Sequence, residues 1–489
     1  MQYLVRISQA VLLLGLLTAF YAQNDMGYAD NGDYTRAMTR FVTGPVGFAR
    51  NWPDPIYEPK EFSQRFFSYW IPYWNLNPHG IDLSPEGAAF NSSAVALWLP
   101  GVLLNYSLYS STVLYLPYLS VLPKLLLIAA LWLIFLWLDH TESIGSWRAK
   151  LLLSITLGLP FVLIVSATDY VAYFSTFFFE TASFVFAILF LISLVVLDRA
   201  APRFFKWAIA LCLILLFLLA SAKLSTVYWP LVGMPFVFYL LKAGRGKFQA
   251  FILAVVAVSF CLGAIWLDKE PPPGLSHNAM DRFFYGVLTF SDNAPARLSE
   301  LGIPETIPCI DILSQTPEGI RCMTEYGDQA SFQNVLAVVV KEPAIVVRLM
   351  VHSAESAQQV AVRWGKRAMD APVRTVPQLL NVWGLIRDRL FPRGLALLGV
   401  LGAYAALFAL NIRSNDLRRG LSIAGLVSVI GSWVDMQVAI WGNGKADLPR
   451  HLFLANALFD FATICAFNLI VVYVIDRARR RRGLAPAQA

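Results

Sequence analysis

The sequence predicts an all-α, polytopic integral membrane protein with about ten transmembrane helices and two large outer segments, and three observations predict it. Of 489 residues, 57% are hydrophobic and only 15% charged, whereas soluble domains carry about a quarter. The apolar residues are gathered into runs long enough to cross a hydrocarbon core of about 30 Å. The basic residues fall mainly in every second connector between those runs. An ordinary soluble globular protein is thereby excluded. The net charge of +7 marks one side of a bilayer rather than a nucleic-acid surface.

Taken in order, the expected spans are Tyr3–Ala22, Tyr118–Leu138, Leu151–Ala167, Thr181–Leu197, Trp207–Ala222, Val227–Leu241, Phe248–Leu267, Gly394–Asn411, Leu421–Trp441 and Ala455–Ile475. A cleaved signal peptide is the rival reading of the first run. Phe20 and Ala22 flank Tyr21 there, which is not a small-x-small cleavage site, so a retained helix is expected. The stretch Ser93–Tyr109 is interrupted by Pro100-Gly101 and ends in Tyr and Ser, so it reads as interfacial or re-entrant.

Ten spans starting in the cytoplasm would place inside the connectors bearing Arg148 and Lys150; Arg199, Arg203 and Lys206; Lys242, Arg245 and Lys247; and Arg413, Arg418 and Arg419. All four are basic, and the tail adds Arg477 and Arg479 to Arg482, while the short opposite connectors hold little beyond Lys223, Lys445 and Arg450. The expected topology has both termini cytoplasmic. The chain then divides into an N-terminal transmembrane module, 1–267, with a first outer loop at 23–117; a periplasmic segment with amphipathic helices, 268–392; and C-terminal helices with a basic cytoplasmic tail, 393–489. The outer segments are too long to be mere connectors.

Cys212, Cys261 and Cys465 lie in apolar runs and act as small hydrophobes. Cys309 and Cys322 lie in the second outer segment, where they are either a local disulfide or two free thiols. No internal repeat is visible, which counts against an inverted-repeat transporter.

Chemistry-bearing residues gather near the outer face. Immediately after the first helix the chain runs through Asp25, Asp30, Asn31-Gly32, Asp33 and Arg36. Carboxylates beside a bilayer persist when solvated, paired or used, and Asn31-Gly32 is a turn able to aim Asp33 toward the helices. The bland alternative is a solvated connector with Asp33 as a helix N-cap. Before the last helix, Lys445, Asp447, Arg450 and His451 form a second polar group. Arg450 can donate paired hydrogen bonds to phosphate oxygens, with His451 and Lys445 adding to the same anion, or these cations snorkel to lipid headgroups. Asp169, Tyr170, Glu180, Lys223 and Asp435 sit near outer helix ends, and Glu180 with Lys223 is either functional or a structural ion pair. The aromatic stretch Phe66 to Trp74 reads as an interfacial belt more readily than as a sugar platform. The five histidines show no metal-ligand spacing, and neither a P-loop nor a dinucleotide fingerprint is present.

Four segments in order, Asn31-Gly32-Asp33-Tyr34-x-Arg36-x-Met38, Phe284-Tyr285-Gly286-Val287-Leu288, Leu298-x-x-Leu301-Gly302-Ile303-Pro304 and Arg450-His451-Leu452-Phe453-x-x-Asn456-Ala457-Leu458-Phe459-Asp460, resemble membrane-embedded C-type glycosyltransferases of the bacterial S-layer-glycan hexose transferase type. The resemblance spans most of the chain. It implies a polyprenyl-phosphate sugar donor, a glycan, lipid or protein acceptor, and a loop aspartate as general base, matched by Asp33 with Asp30 in reserve. Several class members bind a divalent metal near that aspartate, but this sequence offers no convincing ligand set. Independently of the family, a carboxylate can take the acceptor's proton while Arg450, Lys223 or His451 stabilises the departing phosphate, with Arg36, Glu180 and Asp447 as further candidates. The rival classes are a flippase or transporter for a lipid-linked sugar and a polysaccharide polymerase or ligase.

Overall fold

In lipid no water completes a backbone hydrogen bond, so each apolar run must satisfy its own N–H and C=O groups, and the helix does so within one segment. The computed structural model describes residues 2–24, 27, 38–45, 69–70, 72–82, 92–141, 144, 146–201, 203–242, 277–305, 307–358, 366–367, 381–414 and 416–481. Its N-terminal half contains α1 (Gln2–Ala22), α2 (Ala94–Leu108), α3 (Val121–His140), α4 (Trp147–Val165), the short α5 (Thr168–Phe174), α6 (Glu180–Asp198), α7 (Phe205–Ala220) and α8 (Trp229–Lys242). The segment expected from the sequence to be outer follows with α9 (His277–Arg282), α10 (Ala294–Glu300), α11 (Pro317–Tyr326), α12 (Phe332–Lys341) and α13 (Ala344–Ser356). The chain closes with α14 (Val382–Leu390), α15 (Leu395–Asn411), α16 (Leu417–Asn443), α17 (Leu448–His451) and α18 (Phe453–Arg481).

The fold is a polytopic, all-α membrane bundle. Among the described residues seven helices are long and apolar enough to cross a bilayer, or eight if α14 and α15, bent by 104°, form one span. The expected span at Trp207–Ala222 is the 16-residue α7, short for a crossing, and the one at Phe248–Leu267 lies outside the described residues. In α6, 83% of the most apolar window is buried, against 22% in α1, so α6 is the central post and α1 a peripheral one. One expectation needs correction: Pro100 does not interrupt its stretch, because α2 runs through it from Ala94 to Leu108. Packing of α2 on the turn Leu116–Ser120 and on α3 overrides the lost hydrogen bond.

Charged pairs gather helix ends at one end of the bundle. Arg6 at the start of α1 meets Asp139 near the end of α3 at 2.5 Å, and Arg419 at the start of α16 meets Asp198 at the end of α6 at 2.5 Å. This is the end that carries the basic connectors; the candidate site lies at the other.

There, short strands organise the first outer loop: β1 (Val42–Pro45), β2 (Tyr69–Trp70), β3 (Tyr73–Leu76) and β4 (Val113–Tyr115), with β5 (Lys366–Arg367) from the second segment. Strands β1, β3 and β4 form an antiparallel sheet, Val42 opposite Leu76 and Trp74 opposite Leu114. The parallel pair β2 and β5, Trp70 beside Arg367, stitches the two outer segments together.

Three helices of the second segment, α10, α11 and α12, begin with side-chain caps. Asn293 accepts from the Ala296 amide at 3.2 Å, Thr316 from Gly319 at 3.0 Å and Ser331 from Asn334 at 3.2 Å, each satisfying an amide that has no partner within the helix. A disulfide joins Cys309 to Cys322 on α11, and Asp281 accepts from the Ser314 amide at 2.8 Å and hydroxyl at 2.9 Å. The segment is docked through a glycine contact. Gly444, at φ +58°, lies so close to Asp281 that a Cβ would fall 2.3 Å from its carbonyl oxygen, and a Cβ on Gly286 would fall 2.9 Å from the Gly444 Cα. Gly444→Ala therefore meets both left-handed strain and a backbone clash. It should lower stability by about 1–3 kcal/mol and raise protease sensitivity within residues 277–358. An unchanged melting temperature with unchanged digestion would show that this contact does not hold the segment.

Candidate functional site

The end of the bundle away from the basic connectors gathers four charged residues and a tyrosine. Glu180 opens α6, Lys223 follows α7, Tyr228 precedes α8, Asp435 lies on α16, and Arg450 lies in α17. Lys223 Nζ donates to Glu180 Oε1 at 2.7 Å. Arg450 pairs through Nε with Asp447 Oδ2 at 2.8 Å, and its guanidinium stacks 5.2 Å over the Phe178 ring, two residues before Glu180. Glu180 lies in the electrostatic reach of both Lys223 and Arg450, and Asp435 in that of Lys223 and Glu180. These groups form one charge cluster rather than separate pairs.

Asp435 is buried and bound on both oxygens. Tyr228 donates its hydroxyl to Oδ1 at 3.2 Å, and the Ala455 amide, in the first turn of α18, donates to Oδ2 at 2.9 Å. A carboxylate at that helix end satisfies a donor lacking an intrahelical partner and complements the helix dipole. Asp435 is thus a positioning group that fixes the start of α18 beside Arg450.

The described residues just after α1 are held by contacts with neighbouring elements. Gln23 donates to the Ser166 carbonyl at 2.8 Å, and buried Lys124 on α3 donates to Asn24 Oδ1 at 3.0 Å. Gly27 lies against Trp70 so closely that a Cβ would fall 1.9 Å from the indole nitrogen. That nitrogen donates to the Ser175 carbonyl at 2.9 Å. Ser175 stands three positions before Phe178 and five before Glu180, so only glycine at position 27 lets the loop start where it does.

A second polar group lies deeper. Arg387 on α14 is 1% exposed and reaches three partners: Asp169 at 3.3 Å, the Tyr170 hydroxyl at 2.7 Å and Asp460 on α18. Tyr170 also donates to Asp460 at 2.7 Å, and Asn381 donates to Asp169 at 3.1 Å. Burial pushes the Asp169 carboxyl up to about 6, against the pull of Arg387. The network ties α14 to α5 and α18 and fixes the direction from which the chain re-enters the bundle after the outer segment.

Of the residues singled out in the sequence, Arg450, His451, Lys223, Glu180 and Asp447 all lie at this end of the bundle. Asp25, Asp30, Asp33 and Arg36 lie outside the described residues. Lys445 does not join the Arg450 group as an anion donor: it pairs with Asp311 and lies 4.5 Å over the Tyr285 ring. Its role is to bind the connector to the outer segment. Among the described residues, no group of three or more His, Cys, Asp or Glu could hold a metal ion.

Sequence reasoning assigned no role to Arg387, Asp460 or Lys124. Asp460 carried a readable signal, since a carboxylate in an apolar run one helical turn after Asn456 demands a partner. Arg387 carried none, because it lies some seventy residues away in a polar stretch.

No significant match is found among curated proteins or solved structures. The model of one family, described as the YfdI N-terminal transmembrane domain, matches residues 3–485. That match runs from the first described helix through the basic tail, and the chain belongs to this family.

Proposed function

We propose that the protein is a membrane glycosyltransferase that moves one sugar from a polyprenyl-phosphate donor to a hydroxyl of a surface glycan, lipid or protein at the periplasmic face of a bacterial inner membrane. Membership in the YfdI family, a C-type-like membrane glycosyltransferase family, supports this reading. The S-layer-glycan type of acceptor rests on the resemblance of the four segments. The observation that supports the proposal is that Gly27 packs on Trp70, whose indole donates to the Ser175 carbonyl three positions before Phe178, the ring under Arg450.

The chemistry follows from what such an arrangement supplies. The acceptor oxygen forms a bond to the anomeric carbon as the bond from that carbon to the phosphate oxygen breaks. The acceptor's proton passes to a loop carboxylate, Asp33 in this reading, and polyprenyl phosphate leaves with the bonding pair. Charge grows on the departing phosphate, so a fixed guanidinium is worth more in the transition state than in the bound donor. Arg450 suits that role because Asp447 and the Phe178 face hold it in place. One base and one phosphate clamp suffice, a smaller demand than the carboxylate pair of most glycosidases.

Removing the clamp gives a selective readout. In Arg450→Ala the loss of a charge-assisted contact is worth about 1.5–3 kcal/mol, a tenfold to hundredfold drop in kcat/KM. That drop should appear when the donor is varied and be much smaller in the KM for the acceptor. Equal loss toward both substrates would remove the phosphate role from Arg450.

A further inference from the structure

The ten-residue helix α12 has two apolar faces and only one of them is covered. Val335 and Val338 are buried against the outer segment, whereas Phe332, Leu336 and Val340 are 64%, 52% and 71% exposed. Spaced four apart, these three side chains form a single stripe along the helix. On the next helix, α13, Val346 and Val347 are also exposed. Scattered surface hydrophobes need no explanation, but a contiguous apolar stripe does.

The position of α13 states what covers it. Its Ser353 hydroxyl donates to the Met436 carbonyl on α16 at 3.0 Å. Met436 stands fifteen residues beyond Leu421, where the apolar run of α16 begins, or about 23 Å along a helix, and five before Trp441, where that run ends, so the contact lies near the far end of the span. The Ala354 carbonyl accepts from the Gly394 amide at 3.0 Å, directly before α15, whose first residue Leu395 is 66% exposed. The C-terminal end of α13 is thus anchored to the membrane-spanning helices α15 and α16 near one end of the bundle, beside the exposed apolar Leu395. A partner protein is not needed to cover a surface that begins in the membrane.

We propose that α12 lies in the bilayer interface at this end of the bundle, with Phe332, Leu336 and Val340 inserted among lipid headgroups and upper acyl chains. Such a helix has an apolar stripe, flanking basic residues and modest overall hydrophobicity. Lys341 at its end, which also pairs with Glu300 at 2.9 Å, and Arg282 stacked 5.8 Å over the Phe332 ring supply the cations. The insertion pins the second outer segment to the membrane surface and holds it over the outer helix ends. The inference stands whether or not the protein transfers sugars.

The test is a nitroxide on Leu336→Cys in the full chain, with Cys212, Cys261 and Cys465 replaced by Ala, reconstituted in nanodiscs of phosphatidylethanolamine and phosphatidylglycerol. Collision with oxygen, which partitions into lipid, is compared with collision with a water-soluble nickel chelate. The expected result is a several-fold preference for oxygen at position 336, repeated at Val340→Cys, and the reverse preference at Glu318→Cys on the exposed side of α11. A preference for nickel at 336 and 340 would show a solvated face and overturn the proposal. Low accessibility to both reagents would overturn it too, by showing that another protein surface covers the stripe.

Discussion

Asp33→Asn should reduce sugar transfer by about a hundredfold to ten-thousandfold, the usual contribution of a positioned general base, while leaving the amount of protein in the membrane unchanged. Asparagine keeps the shape of the carboxylate and removes its ability to take the acceptor's proton. Asp30→Asn should reduce transfer less, because in this reading Asp30 shapes the loop without touching the acceptor hydroxyl. The measurement is kcat for both variants at saturating donor and acceptor, normalised to folded protein by size-exclusion chromatography. The reverse ranking would move the base to Asp30. Wild-type rates in both variants would take the chemistry away from this loop.

Arg387→Ala should unfold the protein at a much lower temperature, for a reason that concerns structure rather than chemistry. The substitution leaves Asp169 and Asp460 buried without their cation, and breaking a buried pair in this way costs about 3–5 kcal/mol. The triple variant Arg387→Met, Asp169→Asn, Asp460→Asn removes the stranded charges together and should recover much of that loss. Thermal unfolding in a mild detergent checks both. A single variant as stable as wild type, or a triple variant no better than the single one, would contradict the assignment of this network as the anchor of α14.

The architecture was legible because its cause is local. Each span announces itself by a run of apolar residues without knowledge of any contact, so α1, α3, α4, α6, α16 and α18 fall close to where the apolar runs place them. Boundaries differ where polar residues extend a helix beyond the apolar run. Leu417–Asn443 exceeds the expected Leu421–Trp441 because Asp416 caps it, accepting from the Arg418 amide at 2.9 Å. Pro100 misled in the opposite direction, since its effect depends on what packs against α2 and not on the dipeptide itself.

The site was legible only in part. Arg450, Lys223 and Glu180 stand out as charges at the ends of apolar runs, a signal carried by position. What they touch is a property of the fold: Lys445 is drawn to Asp311 and Tyr285, 134 and 160 positions away in the chain. Asp435 looked like intramembrane charge open to function, yet both its oxygens are taken by Tyr228 and the start of α18. Gly27 gave no sign of its contact with Trp70, because nothing in a Met-Gly-Tyr sequence announces an indole arriving from forty-three residues later.

The central claim is that the protein breaks a sugar–phosphate bond, and a reconstituted reaction tests it most directly. Purified protein in proteoliposomes would be given a synthetic polyprenyl-phosphate hexose and a glycan acceptor, with both lipid and glycan followed by mass spectrometry. The account predicts equal amounts of free polyprenyl phosphate and of acceptor heavier by one hexose, both lost in Asp33→Asn. Donor that crosses the bilayer with its sugar still attached, and an acceptor of unchanged mass, would contradict it and make the protein a carrier of the lipid-linked sugar.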